Sequence, residues 1–268
     1  MAIARRSPHI NVMVEAAEKA GRGLVRDFGE VENLQVSKKG PGNFVSTADH
    51  KAERAIMGAL QKARPRYGFL MEESGVTKGE DAENRWIVDP LDGTNNFLHG
   101  VPHWSISIAL EKKGEVVAAV IYDPLRDEMF WAEKGLGAYC NNKRMTVSGR
   151  KNPQEAMTSI DVRSQPSVNG LADLMKAGMH VRCMGGSCLD LAYVAAGRLD
   201  VFFITEHRGG PWDWAAGGLL VKEARGIVTD MEGGKNYLAG KTILAANASL
   251  HTEFLKHLKS TTGKAKAS

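Results

Sequence analysis

Residues 86–97, with the sequence WIVDPLDGTNNF, constrain this chain more than any other segment. The first three residues are apolar and predict a short, buried strand. Two carboxylates follow, Asp89 and Asp92, and Pro90 keeps Asp89 out of the helical region of backbone conformation. Because Gly93 then lets the chain turn, we expect both carboxylates to converge on one point at the end of the strand.

This turn carries groups that suit a hard divalent cation. The carboxylates of Asp89 and Asp92 and the carbonyl of Leu91 are oxygen donors, which Mg²⁺ prefers and Zn²⁺ does not. Burying two acids together is costly unless a cation neutralises them. Gly93 and Thr94 add backbone N–H groups and a hydroxyl that can hold a phosphate oxygen or a water. The alternative is a plain surface turn, in which Asp and Gly are common.

Two further acidic positions lie far from this turn in the sequence. Glu72 follows the apolar residues 67–70, which resemble a strand. Asp213 lies between two tryptophans at the start of a predicted helix, where a helix N-cap is the alternative role. Each position by itself favours the structural explanation, and the combination favours a site.

The pattern along the chain alternates helices and strands without an internal repeat. Antiparallel strands first, and helix–strand alternation later, predict a layered α/β (α+β) protein with a single domain over 1–268. Its N-terminal lobe is expected over about 1–150 and its C-terminal lobe over about 151–260, with 261–268 as a disordered tail. The predicted helices are 10–28, 48–63, 188–196, 214–224 and 249–258, and the predicted strands are 86–88, 104–110, 116–122, 128–132, 201–204, 226–228 and 242–245.

Composition excludes several classes of protein. The 35 basic and 31 acidic residues leave a formal charge of +4, which is too small and scattered to indicate nucleic-acid binding. Three cysteines without a CxxC spacing fit a reducing compartment. The first 21 residues lack the apolar core of a signal peptide, and apolar runs such as Val116–Tyr122 are too short to span a membrane. We therefore expect a soluble, cytoplasmic protein.

Three segments in this order resemble one known family. The sequence EES at 72–74, the DPxDGTxNF motif within 86–97 and PWDWAAG at 211–217 look like the inositol monophosphatase family of Mg²⁺-dependent, lithium-sensitive phosphatases. Residues 45–49, VSTAD, match as well. The resemblance runs from about Val36 to Ala246. It implies a layered αβαβα sandwich, like that of fructose-1,6-bisphosphatases, and a homodimer.

The resemblance also implies a set of metal ligands. In this family, Glu72, Asp89 and the carbonyl of Leu91 would hold one Mg²⁺. A second Mg²⁺ would be held by Asp89, Asp92 and Asp213, with two or three ions in each active site. Such paired ions clamp the attacking and leaving oxygens of an in-line displacement.

Roles for neighbouring residues follow from the same resemblance. Glu72 and Thr94 would orient and help deprotonate the attacking water, and Asp49 would accept a hydrogen bond from Thr94. Lys38, eleven residues ahead of Asp49, would lie in the outer shell of the metals. The groups that bind the phosphate would be Asp92, Gly93 and Thr94.

Substrate contacts are implied at two further places. Gly185, Gly186 and Ser187 would touch ring hydroxyls, with an ordinary glycine turn at a helix start as the alternative. Glu206 matches a hydroxyl-binding glutamate, although the stretch between Gly197 and Asp213 is about two residues longer than in close bacterial relatives. The region 155–185 is short and contains SQPS at 164–167, which we expect to change the dimer contact or one wall of the site.

These observations lead to one hypothesis and two alternatives. The first is an inositol-phosphate phosphatase, a Mg²⁺-dependent phosphomonoesterase acting on inositol 1-phosphate or a similar small polyol phosphate. A sibling phosphatase would act instead on fructose 1,6-bisphosphate, 3′-phosphoadenosine 5′-phosphate, histidinol phosphate or NADP. The alternative of another class is an RNA-polymerase-associated antitermination factor. The cationic C-terminus is interpreted as a solvated helix face, with an RNA contact as the alternative.

The remaining histidines and cysteines receive structural interpretations. His103 and His207 lack a metal-ligand spacing partner and are interpreted as surface or loop residues. His99 is expected to pack below the motif. Cys183 and Cys188 are expected to be buried, as small hydrophobic residues.

Overall fold

The computed structural model describes residues 5–30, 36–40, 43–161, 179–206 and 209–265, without the side chains of 36–45 and 258–265. The helices are α1 (Pro8–Gly29), α2 (Thr47–Ala63), α3 (Thr94–Leu98), α4 (Ser187–Ala195), α5 (Ala215–Glu223) and α6 (Ala248–Ala265), with short 3₁₀ turns at Pro153–Glu155 and Pro211–Asp213. The strands of the first half are β1 (Val36–Gly40), β2 (Asn43–Ser46), β3 (Tyr67–Met71), β4 (Gly75–Thr77), β5 (Asp81–Asp92), β6 (Ser105–Lys112), β7 (Glu115–Asp123), β8 (Glu128–Glu133), β9 (Gly137–Cys140) and β10 (Lys143–Arg144). The remaining strands are β11 (Met157–Ile160), β12 (His180–Arg182), β13 (Val201–Ile204), β14 (Ile227–Thr229) and β15 (Ile243–Ala246).

The larger sheet has eight strands in the order β10-β9-β8-β7-β6-β5-β3-β4. Its neighbours are antiparallel except for the parallel pair β3 and β5. The predicted strands 104–110 and 116–122 are confirmed as β6 and β7, which form a hairpin, and Lys113 and Gly114 at its tip have φ angles of 53° and 79°. Positive φ at both central residues is typical of the turn whose twist matches a hairpin.

Helices α1 and α2 cover one face of this sheet. Ile10 and Met13 of α1 and Ile56 of α2 pack in one buried cluster with Trp86 and Ile108. Alternate residues of the same strands, such as Ile87 and Ala109, belong to the cluster on the opposite face. This period of two allows one sheet to be buried on both sides.

The second face leads into the other half of the fold. Helices α4 and α5 pack there, and beyond them lies the five-stranded sheet β12-β11-β13-β15-β14. Phe202 of β13 faces these helices, whereas Phe203 faces Leu250 and Phe254 of α6. The layers therefore run helix, sheet, helix, sheet, helix, which confirms the expected αβαβα sandwich. Within the described residues, no helix combines the length and apolar character that crossing a membrane requires.

Strand β5 is longer than predicted and brings both acids into the sheet. It runs to Asp92, and its pairing with β6 shifts register between Asp89 and Asp92. Pro90 lies in this interval and has no N–H to donate, which is the usual setting for a bulge. The irregular end of β5 lies next to the end of β3, the start of α4 and the 3₁₀ turn that precedes α5, and so positions the candidate site.

Candidate active site

Asp89 is the centre of an acidic cluster. Its side chain is only 1% exposed, and its Oδ1 accepts the Leu91 N–H at 2.9 Å, which fixes the carboxylate at the end of β5. Burial raises the pKa of Asp89 well above its usual range, and the charges of Glu72, Asp92 and Asp213 raise it further. The structure therefore brings these four acids, which span 142 positions of the chain, close together.

Asp92 links the two halves of the fold. Its carboxylate accepts the Ser187 N–H at 3.2 Å and the Cys188 N–H at 2.8 Å, both at the start of α4. A helix N-terminus stabilises a negative charge. Even so, burial and the nearby charge of Asp213 raise the pKa of Asp92 to about 7. The side chain thus has fixed geometry, and its negative charge is disfavoured in the absence of a cation.

Asp213 reaches the cluster from a 3₁₀ turn. Its Oδ2 accepts the Gly210 N–H at 2.8 Å, and α5 begins two residues later with Trp214 in the N-cap position. The alternative role of Asp213 as the N-cap of α5 is therefore wrong. The half-buried carboxylate is instead directed by its own turn toward Asp89 and Asp92.

Glu72 is held by β5 and by a residue that the sequence motifs do not include. The N–H of Glu72 donates to the Val88 carbonyl at 3.2 Å. Behind it, the buried Glu53 of α2 accepts the N–H groups of Glu73 and Ser74 at 3.0 and 3.3 Å with one oxygen. The helical spacing of Glu53 on the buried face of α2 was the available signal for this role.

Substitution of Glu53 tests whether this support matters. We expect Glu53→Ala to raise the half-saturating Mg²⁺ concentration and to lower kcat, each by about tenfold, because the turn that carries Glu72 loses its acceptor. Glu53→Gln is the matched control, since its amide oxygen can accept from both N–H groups. Magnesium titrations of phosphate release measure both effects. Equal behaviour of the two variants would contradict this role.

Thr94 and Asp49 form a hydrogen-bonded pair beside the cluster. Asp49 is fully buried and accepts the Thr94 hydroxyl at 3.1 Å and the Ser46 N–H and hydroxyl at 2.8 and 2.6 Å. Burial raises the pKa of Asp49, and the hydrogen bonds from Ser46 and Thr94 oppose that rise. The Thr94 hydroxyl also lies 3.0 Å from the Leu91 carbonyl, so its single proton has two acceptors.

Close backbone approach explains three glycines of the site. Gly93 has a φ of 86°, and a Cβ there would lie 2.9 Å from the His103 carbonyl oxygen. Gly185 has a φ of 80°, and a Cβ on Gly186 would lie 3.4 Å from Oδ2 of Asp92. The predicted substrate segment Gly185, Gly186 and Ser187 therefore lies directly against Asp92, as well as forming the turn before α4.

The remaining predicted site residues lie at the edge of the acidic cluster or outside the residues that the structure describes. Glu206 is exposed and lines a cleft of about 540 Å³ with Gly210, Pro211 and Lys241, next to the turn that ends at Asp213. The side chain of Lys38, on β1, is outside the described residues. So are the SQPS segment at 164–167 and His207.

The donor set fits Mg²⁺ in its chemistry. Asp89, Asp92 and Cys188 place potential ligand atoms within 4.8 Å of one another. The Cys188 thiol donates to the Asp213 carbonyl at 3.2 Å, and burial raises its pKa well above the ordinary value. A neutral thiol is a poor ligand, so the remaining donors are oxygens, as a hard cation requires.

Comparison with known proteins agrees with this geometry. The model of the inositol monophosphatase family matches residues 5–262. The chain belongs to the inositol monophosphatase family. An inositol-1-monophosphatase of Mesorhizobium japonicum is 50% identical over 260 residues, covering 95% of this chain and 97% of that protein.

Two further family members widen the comparison. The crystal structure of the extragenic suppressor protein suhB of Bartonella henselae is 50% identical, with a TM-score of 0.91, and the match covers 94% of this chain and 99% of that one. A Nus factor SuhB of Escherichia coli is 38% identical over 258 residues, covering 94% of this chain and 96% of that protein. The predicted family is therefore confirmed, and its phosphatases share this fold.

The structure corrects some of the expected positions of histidines and cysteines in this member of the inositol monophosphatase family. His103 lies in a loop, as one of its two expected settings, but it is buried, with Nε2 2.8 Å from Oδ1 of Asp190, so it is not a surface residue. His99 and Cys183 are exposed, against the expectation that both are packed. Cys188 is buried, as expected. His99 and Cys183 both lie in loops, where apolar neighbours in the sequence do not imply that a side chain is buried.

The raised pKa values predict a pH-dependent stability of the metal-free protein. An acid with a higher pKa in the folded chain keeps a proton that the unfolded chain has lost, so the free energy of unfolding falls as pH rises between the two values. For Asp92 the interval runs from the ordinary 3.8 to about 7. In EDTA, we expect urea unfolding to give a free energy lower by roughly a few kcal/mol at about pH 7.5 than at about pH 5.

Mg²⁺ and one variant serve as controls for this measurement. Added Mg²⁺ should restore the stability at the higher pH by binding only the folded state. Asp92→Asn should weaken the pH dependence, since the titrating group is gone. A stability that rises over the same interval in EDTA would show that the clustered acids do not dominate.

Proposed function

We propose that this protein is a Mg²⁺-dependent phosphomonoesterase that hydrolyses inositol 1-phosphate, or a similar small polyol phosphate, to the alcohol and inorganic phosphate. The observation that carries the proposal is the convergence of Glu72, Asp89, Asp92 and Asp213, with Asp89 and Asp92 buried and their pKa values raised. Four acids in one partly buried site repel one another unless cations neutralise them.

The residues present divide naturally between two ion positions. Glu72, Asp89 and the Leu91 carbonyl would hold one Mg²⁺, and Asp89, Asp92 and Asp213 would hold the second. When bound, these ions supply charge neutralisation for the phosphate and lower the pKa of a water molecule. The protein supplies the positions of the donors, through the turn after β5, the start of α4 and the 3₁₀ turn before α5.

Thr94 and Asp49 have a separate role in orienting water. Because the Thr94 hydroxyl donates to Asp49, its lone pairs remain able to accept a hydrogen bond from the attacking water. The half-buried carboxylate of Glu72 is the second acceptor and the base for the water proton. The backbone N–H groups of Gly93 and Thr94 orient the phosphate, together with Asp92.

The alcohol group of the substrate would lie between Glu206 and residues 184–187, which we call the glycine segment. The backbone at Gly185 and Gly186 can approach a ring closely, and the N–H of Ser187 fixes the end of this segment to Asp92. In the cleft that it lines with Lys241, the carboxylate of Glu206 can accept hydrogen bonds from hydroxyls of a polyol.

A phosphate-release screen tests the proposal. The purified protein is assayed with inositol 1-phosphate, fructose 1,6-bisphosphate, 3′-phosphoadenosine 5′-phosphate, histidinol phosphate and NADP, with Mg²⁺ and with EDTA. We expect the highest kcat/KM with inositol 1-phosphate and no release in EDTA. A higher kcat/KM for one of the other four compounds would show that inositol 1-phosphate is not the preferred substrate, but it would still support Mg²⁺-dependent phosphate release. Release in EDTA would overturn the metal dependence.

A second function is favoured by the Nus factor relative. Because that Escherichia coli protein is similar over nearly the whole chain, we also propose an association with RNA polymerase. Such a role needs an exposed surface and not an intact acidic cluster. Co-purification with RNA polymerase from the source cells, equally strong for wild type and Asp92→Asn, is the expected result. Absence of polymerase from both samples would reject this role.

We make two further proposals, on the oligomeric state and the cellular location of the protein, from its membership of this family. We propose a cytoplasmic homodimer. Light scattering coupled to size exclusion should give twice the 29.1 kDa mass of the chain. A monomer mass at micromolar concentration would contradict it.

A further inference from the structure

The carboxamide of Asn96 joins two distant parts of the chain. Its Nδ2 donates to the His103 carbonyl at 2.7 Å and to the Met184 carbonyl at 2.8 Å. Both hydrogens of the amide group are therefore used. Asn96 lies on α3, directly after the turn with the metal-site acids, whereas Met184 begins the glycine segment of the other half.

Each end of the glycine segment is bound by a side chain from the region where β5 leads into α3. Met184 is bound by Asn96, and the N–H groups of Ser187 and Cys188 are bound by Asp92. Between these points Gly185 packs against the carboxamide, since a Cβ there would lie 3.2 Å from Nδ2 of Asn96. The geometry of the segment thus depends on two side chains four positions apart.

The second carbonyl bound by Asn96 belongs to a well-fixed residue. The ring of His103 is buried and its Nε2 lies 2.8 Å from Oδ1 of Asp190 on α4. The other oxygen of Asp190 accepts the Ser159 hydroxyl at 2.6 Å. Because all three of these residues are nearly inaccessible to solvent, the His103 carbonyl is a rigid anchor.

We propose that Asn96 is a positioning residue that holds the segment from Met184 to Ser187 in place for substrate binding. The proposal rests on the function proposed above, in which this segment contacts the alcohol of the substrate. Asn96 does not reach the reacting groups, and the hydrogen bond between Thr94 and Asp49 does not involve it. Its loss is therefore expected to affect binding of the substrate more than the chemical step.

Amide hydrogen exchange tests the proposal without any assay of activity. In the metal-free protein, followed by NMR, we expect Asn96→Ala to speed exchange at Ser187 and Cys188 by at least about tenfold, because the segment loses its other support. Amides of β6 and β7 should keep their protection. Asn95→Ala is the matched control, since Asn95 is exposed on the same helix and its side chain is not part of this arrangement.

Two more substitutions keep the test usable if Asn96→Ala does not fold. Asn96→Asp has the same shape but places a charge against two carbonyls, so it should speed exchange at least as much as alanine. Asn96→Ser is also small, and its hydroxyl is too short to reach either carbonyl, so it should speed exchange about as much as alanine. Unchanged exchange at Ser187 and Cys188 in folded variants would overturn the proposal, whatever the activity of the enzyme.

Steady-state kinetics then separates positioning from general stability. For inositol 1-phosphate, Asn96→Ala should raise KM by about tenfold and change kcat by less than about threefold, whereas Asn95→Ala should change neither. A merely structural role would lower the active fraction, and hence apparent kcat, at constant KM. Faster exchange with an unchanged KM would therefore overturn the link to substrate. If the wild-type protein is inactive, the proposed function is rejected, and hydrogen exchange alone then tests whether Asn96 holds the segment in place.

Discussion

Replacement of Asp92 by asparagine is expected to lower kcat for phosphate release by at least about a thousandfold, with the fold retained. The substitution removes a charge from the four-acid cluster and one oxygen donor from the second ion position. An asparagine oxygen can still accept the Cys188 N–H, which is the shorter of the two hydrogen bonds at 2.8 Å. Phosphate-release kinetics at saturating Mg²⁺, with circular dichroism and thermal unfolding of the same samples, measure the loss.

Asp200 offers a matched control for this experiment. It is also a buried aspartate, 2% exposed, that accepts a backbone N–H, from Met157 at 2.7 Å, but its charged partner is Arg150. We expect Asp200→Asn to reduce stability and to leave kcat unchanged. A normal rate for Asp92→Asn at saturating Mg²⁺ would remove the acidic cluster from the mechanism.

Asp89→Asn is expected to abolish measurable Mg²⁺ binding at both ion positions, because Asp89 is shared between them. Calorimetric titration should show heat of binding for the wild type and none for the variant at millimolar Mg²⁺. The metal-free variant should be at least as stable as the metal-free wild type, because one of four repelling charges is gone. Mg²⁺ should then raise the Tm of the wild type alone.

The chain contains its own control for this substitution. Asp123, Pro124 and Leu125 repeat the local sequence of Asp89, Pro90 and Leu91 at the end of β7, with the Leu125 N–H donated to Oδ1 of Asp123 at 3.0 Å. Asp123 is equally buried but pairs with a cation, Arg126, at 2.8 Å. Asp123→Asn should lower stability without affecting Mg²⁺ uptake. Normal uptake by Asp89→Asn would reject a shared metal ligand.

Local sequence was sufficient for much of the fold. Period-two and helical patterns located the hairpin of β6 and β7 and the principal helices, because each pattern reports which face of an element is buried. Boundaries were less predictable. The strand that carries Asp89 extends far beyond its three apolar residues, since hydrogen bonds from β3 and β6 continue it where apolar character ends.

The residues that support the site were not predictable in the same way. Glu53 and His103 belong to no motif, and the motif that contains Asn96 does not show what its side chain binds. The partners of these three residues lie 20, 87 and 88 positions away in the chain. A hydrogen bond across such a distance depends on packing of the layers and leaves no periodic pattern in the sequence. The acids of the cluster were found because they stand in recognisable segments.

The two copies of the tripeptide Asp-Pro-Leu separate what sequence determines from what structure decides. In both, the aspartate carboxylate accepts the N–H of the leucine two residues further on, so this hydrogen bond follows from local sequence. Their electrostatic surroundings are opposite, because the αβαβα layers place acids around Asp89, whereas Asp123 pairs with the neighbouring Arg126. The local sequence already places Asp92 three residues after Asp89 and Arg126 three residues after Asp123. Charge acts through space, so only the assembled layers bring Glu72 and Asp213 to Asp89 and complete an acidic cluster there.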